Sequence, residues 1–139
     1  VPQQTNTSLS VWVKPDYFAY DNYTYVIGSS AYGPIATQVS SSMTGGVVMN
    51  STTLGGNPFH FPDDNWRHMV ITYNGLDVKV YIDGQFYSSN HQTGFIPTSL
   101  SDYFLGCVPG KTLWKGAFDD LRFYSRTLSA SDVQKLYNL

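Results

Sequence analysis

Asn65-Trp66-Arg67-His68-Met69-Val70-Ile71-Thr72-Tyr73-Asn74-Gly75-Leu76-Asp77-Val78-Lys79-Val80-Tyr81-Ile82-Asp83-Gly84 is the stretch whose pattern decides the fold class. Met69, Ile71 and Tyr73 alternate with Val70 and Thr72, and Val78, Val80 and Ile82 alternate with Lys79 and Tyr81. A period of two is that of a strand, because successive side chains leave a pleated backbone on opposite faces. Asn74-Gly75 and Asp83-Gly84 are dipeptides that tolerate the positive φ angles of two-residue hairpin turns. The stretch therefore reads as a β-hairpin followed by a second turn, and the chain as an antiparallel β protein.

Outward from this hairpin the same grammar continues. Ser8 to Lys14 alternates, with Leu9, Val11 and Val13 on one face, Ser10, Trp12 and Lys14 on the other, and Pro15 closing the strand. Strands are expected at Thr24 to Ser29 and Ile35 to Ser40 around a Gly33-Pro34 break, then at Val47 to Ser51, Gln85 to Ser89, Tyr103 to Cys107 and Ala117 to Tyr124. Ser129 and Asp132 form a capping-box pattern ahead of a short helix over Ala130 to Asn138, with Val133, Leu136 and Tyr137 at helical spacing. The helix is expected to plug an open end of a sandwich. About eleven short strands and one helix predict an all-β, two-sheet antiparallel jelly-roll sandwich with a C-terminal helix.

Three landmarks carry a resemblance to a known family. The Trp66-x-His68 pair with its hairpin ending in Tyr81-Ile82-Asp83-Gly84, the segment Gly116-Ala117-Phe118-Asp119-Asp120-Leu121-Arg122-Phe123-Tyr124-Ser125-Arg126-Thr127-Leu128-Ser129, and the opening Leu9-Ser10-Val11-Trp12-Val13-Lys14-Pro15 resemble laminin G-like domains of the concanavalin A-like lectin/glucanase superfamily. They stand in the family's order and cover nearly the whole chain, so residues 1–139 are read as one such domain. The strand with an Asp-Gly turn that usually precedes the Leu9 segment in this family is not matched in Val1 to Ser8. A missing strand would leave an open edge, which a neighbouring copy could complete.

Composition narrows the function classes. At 139 residues the chain can bury a core, and 42% apolar with only 13% charged residues is the balance of a globular domain rather than a disordered one. A net charge of −2 with eight scattered Lys and Arg offers no basic face for nucleic acid. No apolar run is long enough to span a bilayer. All ten acidic residues are Asp. Glucan-cleaving members of the resembled superfamily use a Glu-based strand motif, and this chain has no Glu to supply it. His60, His68 and His91 are the only histidines, and no Gly-x-Ser-x-Gly elbow occurs, so no enzyme is expected.

Three Asn-x-Ser/Thr sequons, at Asn6, Asn22 and Asn50, point to an extracellular glycoprotein. The lone Cys107 cannot form an internal disulfide; it reads as a small buried group or as the partner of a cysteine elsewhere. Platforms for a glycan or protein partner are expected at Tyr17, Tyr20, Tyr23, Phe59, His60 and Trp114, because aromatic rings in loops pair an apolar face with polar neighbours. The resemblance implies Ca²⁺ as a candidate cofactor, held by Asp63, Asp64, Asp119 and Asp120. The competing roles are turn capping for Asp63-Asp64, and backbone bonding with an ion pair to Arg122 or Arg126 for Asp119-Asp120. Strand alternation sends Asp119 and Asp120 to opposite faces, so one should point inward. The expected function is non-catalytic extracellular recognition of carbohydrate or protein. The alternative is a structural subunit of an extracellular filament that self-associates through the open sheet edge.

Overall fold

The computed structural model describes residues 3–16, 24–29, 36–39, 44–49, 52–53, 59–94, 96–97, 103–106 and 113–139. In chain order the strands are β1 (Gln3–Gln4), β2 (Thr7–Pro15), β3 (Thr24–Ser29), β4 (Ala36–Val39), β5 (Thr44–Met49), β6 (Thr52–Thr53), β7 (Phe59–His60), β8 (Arg67–Tyr73), β9 (Asp77–Ile82), β10 (Gln85–His91), β11 (Ile96–Pro97), β12 (Tyr103–Leu105) and β13 (Gly116–Tyr124), followed by α1 (Ala130–Tyr137). They form a five-stranded sheet, β10-β9-β8-β2-β13, and a six-stranded sheet, β12-β3-β4-β5-β6 with β7 beside β5. Every pairing is antiparallel, as expected for a jelly roll. The segment Gln3–Gln4 pairs antiparallel with Ile96–Pro97 of its own chain.

The core lies between the sheets. Leu9, Val11, Val13, Met69, Ile71, Tyr73, Val78 and Val80 of the five-stranded sheet meet Val26, Val39, Val47 and Phe59 of the other. Alternation thus placed the inward face of β2, β8 and β9 correctly, because one face of each strand must leave water.

The opposite face of the five-stranded sheet is buried as well, which the sequence pattern did not indicate. Val70 and Tyr81 form a second apolar cluster with Leu128 and Val133, and Tyr124 and Leu136 pack against it. The helix therefore lies across the outer face of this sheet rather than plugging an end of the sandwich. It begins with the expected capping box, in which Asp132 N–H donates to Ser129 Oγ at 3.1 Å and Ser129 N–H donates to Asp132 Oδ2 at 3.0 Å. Arg126 also donates to Asp132 Oδ2, at 2.8 Å, and these bonds hold the Asp132 carboxyl far below the usual carboxylate range.

Polar side chains on this face are buried in specific bonds. Ser8 Oγ donates to the Arg126 carbonyl and accepts from Leu128 N–H, both at 2.9 Å. Ser10 Oγ and His68 Nε2 lie 2.9 Å apart. The His68 ring sits 5.1 Å from Trp12 and 6.1 Å from Tyr137, while Trp12 and Tyr137 stack at 5.8 Å. His68 is 2% exposed and its Nδ1 has no hydrogen-bond partner among the described residues. Burial, which disfavours the imidazolium, pushes its pKa below the ordinary value.

Two local expectations are corrected. Asn74-Gly75 is not a two-residue hairpin turn: Tyr73 pairs with Val78, so Asn74 to Asp77 all lie in the connection. The Asn74 side-chain carbonyl accepts from Leu76 N–H at 2.9 Å and Asp77 N–H at 2.7 Å, closing a wider loop from within. The Asp83-Gly84 turn is the two-residue kind, with Ile82 opposite Gln85 and φ of +50° and +78°. A Cβ at Gly84 would also lie 3.0 Å from the Tyr137 ring, so this position is constrained by backbone angle and by the helix together.

In β13 the register shifts between Asp119 and Arg122, and Asp120 has φ of +49°. This bulge breaks the alternation: Phe118 and Leu121 both pack against the core, and Asp119 and Asp120 are both exposed. Neither carboxylate points inward.

Candidate functional site

The residues expected to form a site are dispersed. Tyr17, Tyr20, Tyr23, Asn22, Asn50 and Cys107 lie outside the described residues. Phe59 and Trp114 are corrected from surface platforms to core. Phe59 is fully buried 5.2 Å from Phe61, and Trp114 is buried and stacked on Phe118 at 5.4 Å. A loop aromatic next to a sheet rim gains more from covering the core than from facing water. His60 and Asn6 are exposed. The Asn6 side-chain carbonyl accepts from Thr127 Oγ1 at 3.2 Å.

Of the four carboxylates proposed for Ca²⁺, Asp63 and Asp120 face arginines. Arg67 donates to Asp63 Oδ2 and to Asp83 Oδ2, each at 2.8 Å, and Asp63 Oδ1 accepts from Asn65 N–H at 3.1 Å. The guanidinium and these bonds lower the Asp63 pKa, and the two carboxylates in turn raise that of Arg67. Asp83 Oδ1 accepts from His68 N–H at 2.9 Å, which ties the start of β8 to the β9–β10 turn. Asp120 binds Arg122 at 2.7 Å, and Asp119 accepts from Asp120 N–H at 2.8 Å. Among the described residues no three His, Cys, Asp or Glu side chains come together. A Ca²⁺ ion needs six to eight oxygens, whereas Asp63 and Asp120 already direct theirs at a fixed cation. These side chains do not fit the ion.

What the structure does gather lies on the outer face of the five-stranded sheet. A cavity of about 380 Å³ is lined by Thr72, Tyr81, Lys79, Asp77 and Asn74 and, across from them, by the 127–130 segment leading into α1. Thr72, Lys79 and Tyr81 reach it because alternation turns them away from the core, and Leu128 packs beside Tyr81. The far wall is positioned by Thr127 Oγ1, which donates to the Tyr73 carbonyl at 2.7 Å, and by the Ser8 bonds to Arg126 and Leu128.

The chemistry of this groove is mixed. Asn74 spends its carbonyl on the loop, which leaves its amide group as a donor. Asp77 is 3.3 Å from His91 Nδ1 and partly exposed. The Lys79 ammonium forms no ion pair among the described residues. Hydroxyl, amide, carboxylate and ammonium groups thus surround one aromatic ring and Leu128, an arrangement suited to a polyhydroxylated ligand with some apolar surface. Sequence reasoning missed these residues. Their signal was present in the outward positions of β9 and in the polar 74–77 loop, but nothing in the linear pattern showed that the 127–130 segment would face them.

Comparison with known proteins agrees with the architecture. Over 154 aligned residues the chain is 27% identical to the adhesion G-protein coupled receptor V1 of Danio rerio, a match that covers 99% of this chain and 2% of that protein. Domain 4 of AbnA, a GH43 extracellular arabinanase from Geobacillus stearothermophilus, solved in complex with arabinotriose, superposes with a TM-score of 0.70 at 22% identity, covering 99% of this chain and 68% of that one. The receptor-binding domain of botulinum neurotoxin type G gives 0.73 at 18% identity, covering 97% and 38%. Trypanosoma rangeli sialidase gives 0.70 at 18%, covering 95% and 22%. Residues 1–134 match the family described as the concanavalin A-like lectin/glucanases superfamily, and with both sheets and the helix in place the chain belongs to that family.

Proposed function

We propose that this chain is a non-catalytic, extracellular recognition module that binds a glycan in the groove between the outer face of β8–β9 and the segment entering α1. The observation that carries the reading is the groove itself, where the accessible Asn74, Asp77, Lys79 and Ser129 offer hydrogen-bonding groups above a floor that includes the buried Thr72, Tyr81 and Leu128. The arabinanase domain holding arabinotriose and the adhesion receptor lend support from outside the chain. That arabinanase is extracellular and that receptor is an adhesion receptor, and the three sequons suit an extracellular setting for this chain. Ca²⁺ is not part of the proposal, because Asp63 and Asp120, two of the four carboxylates suggested for it, are held by arginines.

The test is a two-dimensional NMR titration with oligosaccharides chosen from a glycan array. Binding should shift the amide signals of Thr72, Asn74, Lys79 and Ser129 in a saturable way. Asp77→Asn, which keeps the shape and removes the charge of a partly exposed groove residue, should weaken binding without unfolding the sheet. Array-wide silence together with capture of an extracellular protein on another face would replace the glycan with a protein partner.

A further inference from the structure

We infer that the groove selects a single carboxylated sugar ring, of the uronic acid class, through Lys79; this rests on the glycan reading above. Lys79 and Asp77 project on the same side of β9, two residues and therefore about 6.6 Å apart along the strand. They are not paired with each other. Asp77 instead lies beside His91, and Lys79 has no ion-pair partner among the described residues. A lysine lining a cavity without a counter-charge is a place where a ligand anion replaces water at little desolvation cost and gains a charge-assisted bond.

The order of charges along the groove matters. Asp77 and the Asn74 amide stand at one end, Lys79 in the middle, and Ser129 with the start of α1 on the facing wall. Asp77 repels negative charge, so an anion is directed toward Lys79 and away from the 74–77 loop. A pyranose whose ring hydroxyls face Asp77 and Asn74 and whose ring carboxylate faces Lys79 satisfies both ends in one orientation. A neutral sugar would leave Lys79 without an anionic partner.

The same arithmetic argues against a sulfated polymer. The chain carries −2 net charge, and Arg67, Arg122 and Arg126 are each committed to aspartates. Among the described residues lining the cavity, Lys79 is the one Lys or Arg. A polyanion would find one cation flanked by a carboxylate, whereas one carboxylate on one ring finds its match.

The experiment titrates the ¹⁵N-labelled chain with methyl β-D-glucuronide and with methyl β-D-glucoside, which differ only in the oxidation of one carbon. The glucuronide should shift the Thr72, Lys79 and Ser129 amides and bind about tenfold more tightly than the glucoside. Lys79→Gln should abolish that preference, so that the two sugars bind the variant with equal affinity. Its one-charge dependence on salt should be shallow, in contrast to the steep dependence of heparin binding. Equal affinity for the two sugars, or a preference that survives Lys79→Gln, overturns the inference while leaving glycan recognition standing. Tight, strongly salt-dependent heparin binding also overturns it. No response of the groove to any sugar overturns the glycan reading as well.

Discussion

At the scale of single residues, the outer face of the five-stranded sheet is organised around His68. Its ring is covered by Trp12 and Tyr137 and bonded to Ser10, and its Nδ1 finds no partner among the described residues. Such a site accommodates the neutral ring and penalises the charged one. The folded-state pKa is therefore below the unfolded value near 6.5. Below that value the unfolded chain binds the proton more readily, so stability is intact above pH 6.5 and declines as pH falls from there toward the lowered value. Thermal unfolding between pH 7.5 and 5 should show this decline. His68→Asn, which cannot titrate, should flatten the profile over this window even though its melting temperature is lower throughout. A profile identical in slope to the parent would remove His68 as the cause. The Trp66-x-His68 pair put His68 at the start of a strand, and that part was legible. Its burial was not, because an alternating pattern of Ser, His and Trp reads as a solvated face until something covers it.

At the scale of elements, legibility tracks the distance over which the deciding contacts act. The β8–β9 pair and the capping box of α1 are local, so alternation and the Ser129/Asp132 spacing sufficed to find them. The bulge in β13 was hidden because Phe118-Asp119-Asp120-Leu121 contains no glycine to mark it, and a left-handed aspartate had to carry the turn. The groove was hidden because its two walls come from β8–β9 and from the 127–130 segment, far apart in the chain. Phe59 and Trp114 were misplaced because an aromatic ring reads the same in a loop whether it faces water or the core. The helix itself gives a sharp prediction. Ser129→Ala removes the acceptor for Asp132 N–H and should cost about 1 kcal/mol, seen as an earlier urea midpoint with the denaturant slope preserved. Since Ser129 also lines the groove, sugar affinity should fall in the same variant. A stability loss with no change in affinity would detach the groove from the cap.

At the scale of the whole molecule, the five-stranded sheet ends in β10 and β13, and both carry a register shift, at Phe86/Ser88 and at Asp119/Arg122. Asp119, Asp120 and Arg122 add charge to the β13 edge. Bulges and charges discourage strands of other molecules from extending a sheet. Sedimentation of the native chain should therefore give a monomer near 15.5 kDa plus any attached glycan. Stable fibres would instead revive assembly as the function. Because Asp63 and Asp120 are held by arginines, melting temperatures in EDTA and in millimolar Ca²⁺ should coincide. A rise with Ca²⁺ would mean that an ion binds the native state through other donors. The pairing of β2 with β13 has a consequence for synthesis. Thr7 bonds to the Tyr124 carbonyl across 117 positions, and Ser8 to Arg126 across 118, so the two ends of the chain close on each other. Pairings this distant form slowly, because the long intervening loop must be ordered first. On the ribosome β2 emerges before both of its neighbours, and it gains β13 only after Gly116–Tyr124 has been made. During that interval Ser8, the hydroxyl of the Asn6-Thr7-Ser8 sequon, stands open, and it is sequestered only once the final strand and helix arrive.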